Sequence, residues 1–315
     1  MATAEYPMQL LHTIAGTSFI AWFVLPFIVH AVAARAWPAY THLPHRVKSG
    51  FCNRIVSAAH AILLVAVQFQ NLQDPSLWEK PLTAVTDAHF FWGSIMLGYL
   101  AYDTLHLLMT WKDSGRYSFL VHHLTAMASV ALGIYGKRLA VFGMATQVAF
   151  ELTTPLLHTL GCMKVAGQHR TKLYVILSAI FFLMFLVCRV AIAIGIFCWM
   201  LVSISSLPTP TPHWAWAGLS LYAVLCGVNL HWFLMLCSMA KKLVQPERTA
   251  STALKELTAI QGKGELVRSF SGPMAQSLKA PDPSKSRLGS VSASMELHEH
   301  SLKDLHIRAR HAHEA

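Results

Sequence analysis

The chain has 315 residues, 54% of them hydrophobic and 13% charged, with a formal net charge of +10 and a mean hydropathy of +0.45. A soluble domain carries about 25% charged residues, and so much apolar surface cannot be hidden in one aqueous core. The composition therefore excludes a soluble protein and requires a polytopic membrane protein. The positive charge lies largely in loops between apolar runs and in the C-terminal tail. There it reads as an orientation signal and an attraction for anionic lipid heads, with no nucleic-acid partner implied.

No basic region precedes the first apolar run, as a cleavable signal would require, so that run is expected to be a retained span. The apolar runs predict seven spans, over 9–34, 52–72, 88–110, 119–135, 139–161, 173–202 and 214–240. Most approach the roughly 20 residues that cross a hydrocarbon core of about 30 Å. The fold class is thus all-α, a polytopic membrane helix bundle. The fourth run is short and is expected to be either a span or a re-entrant half-span pressed against its neighbours. The sixth is long and is expected to tilt or kink. Trp22, Trp37, Trp78, Trp92, Trp111, Trp199, Trp214 and Trp216 fall mostly near span ends, as an interfacial aromatic belt would place them.

Orientation follows from Lys and Arg in the short loops. Loop one carries Arg35, Arg46 and Lys48, loop three Lys112 and Arg116, and loop five Lys164, Arg170 and Lys172; Lys241, Lys242 and Arg248 follow the last span. Loop two has Lys80, loop four Lys137 and Arg138, and loop six none. The positive-inside rule puts the odd loops and the C-terminus in the cytosol and the N-terminus in the lumen or outside. Seven spans also fit a receptor, but no DRY-like or NPxxY-like run supports one. The six cysteines (Cys52, Cys162, Cys188, Cys198, Cys226, Cys237) show no paired spacing and no CxxC. They read as packed core thiols, with acylation at Cys162 or Cys237 only weakly signalled. From about residue 245 the composition turns to Ser, Lys, Pro and Gly, which predicts a disordered cytosolic tail. Arg268 precedes Ser271 by three, a kinase-type match that Ser-rich tails also produce by chance. The end, His311 to Ala315, is neither a KDEL-type nor a dilysine signal.

The informative residues are the polar ones inside the spans. An ionisable group at the bilayer centre costs about 2.5–3.5 kcal/mol on insertion scales, and such groups persist when they face the bundle interior and find partners. Asn53, Ser57 and His60 share one face of the second span, with Arg54 beside it; Tyr99, Asp103 and His106 share a face of the third. The fourth carries the adjacent pair His122 and His123, and the fifth the stripe Glu151, Thr154 and His158. Pro155 removes one helical hydrogen bond there and frees a carbonyl. Arg189 is the lone charge of the sixth span and Asn229 plays that part in the seventh.

Asp103 and Glu151 are the acids deep in the spans, and Arg54 and Arg189 their natural counter-charges. One reading is that these four pair and lock the helices. Ser or Thr would lock a bundle far more cheaply, so Asp103, Glu151 and the two histidines read as functional. Adjacent histidines point about 100° apart on a helix, so one can face a cavity while a neighbour holds the other. A neutral imidazole near a carboxylate suits general-base work on an amine or hydroxyl. The same pair could bind a metal, but a di-iron membrane oxidase needs several HxxxH or HxxHH clusters. This chain has a single HH pair, with His42 and His45 apart in a loop, so no metal is expected. His12, His30, His89, His213 and His231 lie near span ends, where the interface tolerates them.

These residues resemble the TLC domain family, which includes the ceramide synthases and the translocating-chain-associating membrane proteins. The matching runs are FCNRIVSAAHA at 51–61, GYLAYD at 98–103, HH at 122–123, ELTTPLLHTL at 151–160 and NLHWF at 229–233. The NRIVSxxHA and ELTTP runs look most like the TLC domain-containing protein 4 subgroup. The resemblance implies a TLC-like domain over 50–242, preceded by a first span and loop (1–49) and followed by the tail (243–315). It implies a multi-spanning bundle of the endoplasmic reticulum acting in lipid metabolism or lipid homeostasis. In ceramide synthases the motif opens with two histidines, which transfers to His122 and His123, and continues to a His-Asp pair and a further Asp. Here GMATQVAFELTTP stands in that region, with Glu151 alone, so the acids do not transfer. The homeobox-like insert of many ceramide synthases is also missing.

Two functions follow. In the first, the polar interior holds a lipid head group and the chain regulates membrane lipid composition. In the second, His122 or His123, oriented by Asp103 and Glu151, drives acyl transfer to an amine, with acyl-CoA as co-substrate and a sphingoid base as acceptor. Asn53, Arg54, Ser57, His60, Tyr99, His106, Thr154, Arg189 and Asn229 would line the substrate. No other cofactor is expected; membrane lipids are the expected partners, and a homo-oligomer is allowed.

Overall fold

The computed structural model describes residues 7–110 and 117–244. The chain divides into two units, Met1–Val244 and Gln245–Ala315. The predicted tail, with Ser271, lies outside the described residues, and so do Trp111, Lys112 and Arg116 of loop three.

The chain is an all-α membrane bundle. It runs through α1 (Met8–Ala36), a 3-10 turn (Pro38–His42), α2 (His45–Asn71), α3 (Pro75–Glu79), α4 (Asp87–Met109), α5 (Tyr117–Gly136), α6 (Ala140–Glu151), α7 (Thr154–Val165), α8 (Lys172–Met184), a π-helical segment (Phe185–Ile192), α9 (Ala193–Ser205) and α10 (His213–Val244). Among the described residues, six of the resulting helical rods are long and apolar enough to cross a membrane. The remaining predicted span, the third, is α4, 23 residues long, whose load of His, Asp and Tyr lowers its hydropathy. The fourth predicted span proves to be a full 20-residue helix, α5, and not a half-span.

Side-chain oxygens start several helices by accepting a free first-turn N–H. Thr86 accepts from His89 N at the start of α4, and Thr171 from Tyr174 N at the start of α8, both at 3.2 Å. The predicted fifth span breaks into α6 and α7 where Leu152 and Thr153 leave the helix and Pro155 occupies the first turn of α7. Pro155 is well placed there because a first-turn N–H has no partner to lose. The predicted sixth span bends by another device. Phe185–Ile192 widens into a π segment, without proline, and Arg189 sits inside it. Such insertions occur frequently at functional sites.

Six rods form a ring: α2 packs on α4, α4 on α5, α5 on α10, α10 on the π segment and α9, and α6–α7 closes the circle between these and α2. The first helix, α1, lies outside, against α4 and α2. It reaches α4 closely because Gly98 has no side chain: a Cβ there would stand 2.7 Å from Ser18 Cβ and 2.8 Å from Phe19 N. Ser18 Oγ donates to Ile95 O at 2.9 Å across this contact. Trp22, predicted for an aromatic belt, is instead inside this packing, edge-on to His60 and Tyr99 with ring centres 5.1 and 5.6 Å apart.

The two ends of the ring differ. At the end bearing loops two, four and six, α3 and its flanks fold inward and Leu77, Leu82, Leu139, Ala140, Phe142, Met200, Ile204, Ala215 and Leu219 form one buried apolar plug. Leu139 adopts a left-handed backbone (φ 60°) before α6, and its N–H donates to Leu82 O at 3.0 Å, tying loop four to loop two. Trp78 stacks on Trp199 beside it at 5.4 Å. At the opposite end Tyr40 is fully buried and its hydroxyl joins His30 Nδ1 (2.8 Å) to Cys52 Sγ (3.2 Å), pinning the 3-10 turn to α1 and α2. Burial, reinforced by the Cys52 thiol, pushes the Tyr40 phenol up from its ordinary range.

Candidate functional site

The ring encloses a cavity of about 600 Å³, within the size range of sites that hold one small ligand. Its polar wall lies in the half nearer loops one, three and five. There α2 contributes Asn53, Arg54 and Ser57, α4 Tyr99, Asp103 and His106, α5 His122 and His123, the α6–α7 break Glu151, Thr154 and His158, and the π segment Arg189. Towards the plug the wall becomes largely apolar, with Leu132, Leu139, Phe142, Met200 and Tyr222, interrupted by His89, Gln68 and Gln147.

Asp103 is the hub of the α2–α4–α5 side. Its Oδ1 accepts from Asn53 Nδ2 at 3.0 Å and its Oδ2 from the Tyr99 hydroxyl at 3.3 Å. The Tyr102 hydroxyl donates to Asn53 Oδ1 at 2.6 Å and so fixes the amide that binds the carboxylate. Asp103 Oδ2 also stands 3.5 Å from His123 Nε2, both side chains being about one-seventh exposed (15% and 13%). His122 points elsewhere, as the helical angle requires, with its ring 5.1 Å from Trp232 and 6.4 Å from Phe150. The Nδ1 atoms of His122, His123 and His158 are buried without a hydrogen-bond partner. Unmet polar atoms of this kind cost about 1–3 kcal/mol each unless something fills them, and all three residues belong to the cavity wall.

Arg189 is the hub of the other side. Nε donates to Thr153 Oγ1 (2.7 Å), Nη2 to Phe150 O (2.7 Å) and Thr154 Oγ1 (2.9 Å), and Nη1 to Asn229 Oδ1 (3.4 Å). Asn229 is itself fully buried and donates to Leu225 O at 2.8 Å. The broken α6–α7 rod, the π segment and α10 are thus held by one guanidinium. Glu151 lies beside Thr154 and within electrostatic reach of Arg189, Asp103 and His123.

The expected pairing of Arg54 and Arg189 with Asp103 and Glu151 does not form. Arg189 is satisfied by neutral oxygens, and among the described residues Arg54 makes no hydrogen bond or ion pair. The reason is helix rotation: Asn53, the residue before Arg54, meets the Asp103 carboxylate while Arg54 turns across Gly161 of α7, and the Arg189 donors are taken by the oxygens around the α6–α7 break. Of the residues expected to meet substrate, all but two line the cavity. His60 lies behind it, stacked flat on Tyr99 at 3.5 Å with Nε2 3.3 Å from Met96 Sδ. Asn229 acts through Arg189. Asp103 orients His123 alone, and Glu151 makes no ion pair with either histidine.

Several participants carried no sequence signal. Thr153 and Tyr102 read as ordinary helix residues, yet they hold Arg189 and Asn53. Trp232 stands over His122 and donates Nε1–H to Ser118 Oγ at 3.0 Å. Gln68 is buried, donates to Gln147 Oε1 at 2.7 Å, and both line the cavity towards the plug. His89, expected at an interface, is buried at that end too. A period-three or period-four search for polar residues in α2 and α6 would have found the glutamines. Among the described residues no group of three or more His, Cys, Asp and Glu side chains is placed to hold a metal ion.

Comparison with known proteins matches residues 50–238 to the TLC domain model, which is the six-rod ring without α1. The chain is 26% identical to human TLC domain-containing protein 1 over 167 residues, covering 53% of this chain and 64% of that protein. It is 25% identical to the mouse protein of that name over 154 residues, 49% of this chain and 60% of the relative. The match spans under two thirds of the length of these curated relatives.

Proposed function

The chain belongs to the TLC domain family, and from that premise we propose that it acts in membrane lipid homeostasis by holding a membrane lipid inside the ring. The lipid's polar end would lie among Asn53, Asp103, His123 and His158, and its chain along the apolar wall towards the plug. The observation that carries this reading is a cavity whose acidic and basic groups, Arg54, Asp103, Glu151 and Arg189, gather in one half, while the other is lined largely by Leu132, Leu139, Phe142 and Met200. A lipid has that same division. The NRIVSxxHA and ELTTP runs support placement beside the TLC domain-containing protein 4 subgroup. An endoplasmic reticulum location follows from the family resemblance. The Lys and Arg bias of the odd loops supports a lumenal N-terminus and a cytosolic C-terminus.

The test is lipid extraction from the purified full chain, together with the lipidome of cells lacking it. A defined lipid class should co-purify, and the altered lipidome should be restored by the wild-type chain but not by a His122→Ala, His123→Ala double variant. Restoration by the double variant would remove the cavity from the account. A tag after Ala315 should be digested by protease added to intact microsomes; protection would reverse the orientation.

One observation favours a second reading, acyl transfer. His123 Nε2 stands 3.5 Å from Asp103 Oδ2, a carboxylate–imidazole pair suited to general-base catalysis. His123 would take the proton from an attacking amine or hydroxyl as it bonds to the thioester carbonyl of acyl-CoA. Asp103 would stabilise the imidazolium, and the proton would leave with the CoA thiol. Purified protein given labelled acyl-CoA and long-chain bases should then form amide, and His123→Ala should abolish it. Undiminished product with that variant would exclude this role.

A further inference from the structure

Among the described residues Arg54 makes no hydrogen bond or ion pair, and it lines the cavity with Asn53, Asp103 and His158. It lies roughly 14 Å along α2 from the loop-one end. Its side chain crosses Gly161 of α7 so closely that a Cβ on that glycine would stand 2.6 Å from Arg54 Cζ and 2.9 Å from Cδ. The glycine therefore leaves the room in which the guanidinium rests. Beside it His158 presents a buried Nδ1 with no hydrogen-bond partner and lies within electrostatic reach of Arg54. Arg189, the other arginine on the cavity wall, directs its donors at four protein oxygens.

A long basic side chain near a span end ordinarily reaches out to the interface as an anchor. Arg54 differs in lying across a neighbouring helix and along the cavity wall, next to a second unmet polar group. A guanidinium presents paired donors that match carboxylate and phosphate oxygens, and such charge-assisted bonds are about twice as strong as neutral ones. The geometry points to an anion-binding subsite formed by Arg54 and His158, so that the lipid held in the cavity carries an anionic group, phosphate or carboxylate, at its polar end. This rests on the lipid-holding reading above and deepens it. A ligand with a purely cationic head, such as a sphingoid base, is the one this subsite would repel.

The experiment uses the purified full chain in a neutral detergent and three probes with the same acyl chain: oleate, 1-oleoyl lysophosphatidate and the uncharged 1-monoolein. Native mass spectrometry gives their dissociation constants. The wild type should bind at least one of the two anions roughly tenfold more tightly than monoolein, and added salt should weaken that anion alone. Whichever anion binds tighter identifies the head group as carboxylate or phosphate. Arg54→Gln should bring the anions level with monoolein. Gly161→Ala keeps the charge but drives a methyl group into the guanidinium, and it should lower anion affinity in the same direction even if Arg54→Gln fails to fold. Equal binding of all three probes by the wild type, or an anion preference unchanged in both variants, would overturn the subsite while leaving the lipid reading intact. Failure of every probe to bind would overturn both.

Discussion

The two halves of the ring are built on opposite plans. At the loop-two, -four and -six end, neighbouring rods meet through apolar side chains, and Leu77, Ala140, Val141 and Ala215 are completely buried. At the other end the same rods meet through carboxylate, amide, imidazole and guanidinium groups around open space. In lipid, apolar contacts between helices gain little from the hydrophobic effect, and packing and interhelical hydrogen bonds must hold them. The plug supplies the packing and Arg189 supplies the bonds. The Asp103 cluster holds helices too, but it leaves imidazole nitrogens unmet, and unmet groups are what a ligand can use. The contrast separates a half that maintains the ring from a half that employs it.

The largest effect should come from Arg189, the hub of the polar half that joins rods and spends its donors on protein oxygens. Arg189→Ala removes four hydrogen bonds and leaves Phe150 O, Thr153, Thr154 and Asn229 facing one another in a buried space. Leaving buried oxygens such as Phe150 O and Asn229 Oδ1 without that donor costs about 1–3 kcal/mol each. We expect a large drop in Tm in detergent, with all lipid binding lost because the α6–α7 break is no longer held. A Tm close to wild type would show that the π segment does not depend on its arginine. Next comes Leu77→Ala, in a short helix outside the cavity wall. Large-to-small changes at buried leucines cost about 2–5 kcal/mol, so Tm should fall while lipid affinity, measured below the transition, stays at the wild-type level. A parallel loss of affinity would erase the distinction between the two halves.

What was legible in the sequence divides along the same line. Polar residues in apolar runs announce themselves, because each is costly where it stands, and Asp103, His122, His123, Glu151 and Arg189 could be picked out one by one. Their convergence followed from that cost, since lipid-facing positions would not tolerate them. Their pairing did not follow. Arg54 and Asp103 have opposite charges, yet helix rotation gives the carboxylate to Asn53 and turns Arg54 onto α7, which spacing alone does not show. Thr153 could not be foreseen, because its role depends on the carbonyl geometry at the α6–α7 break and on a π segment that no proline marks. His60 kept the correct helical spacing from Asn53 and Ser57 but was covered by Tyr99, and only packing reveals which residue of a polar stripe stands in front. The plug was invisible as a unit: Leu77 sits in a five-residue helix of a loop, far in sequence from Leu139 and Ile204.

The smallest effect on stability should accompany the sharpest effect on function. In Asp103→Asn the amide oxygen can still accept from Asn53 Nδ2. The new NH2 group would face Tyr99, whose hydroxyl oxygen can accept in place of donating, so the α2–α4 contact survives. The net cost is that of one altered hydrogen bond, about 1 kcal/mol, and Tm should move little. His123, however, loses the carboxylate that stands 3.5 Å from its Nε2. Complementation of the lipid phenotype in cells lacking the chain should therefore fail with Asp103→Asn although the protein is made in normal amount. A stable variant that also restores the lipidome would mean that the carboxylate serves only to join α2 to α4, and the chemistry would then have to be sought on the His122 and Trp232 side of the cavity. A variant that loses several kcal/mol of stability would mean that the polar half maintains the ring as much as the plug does.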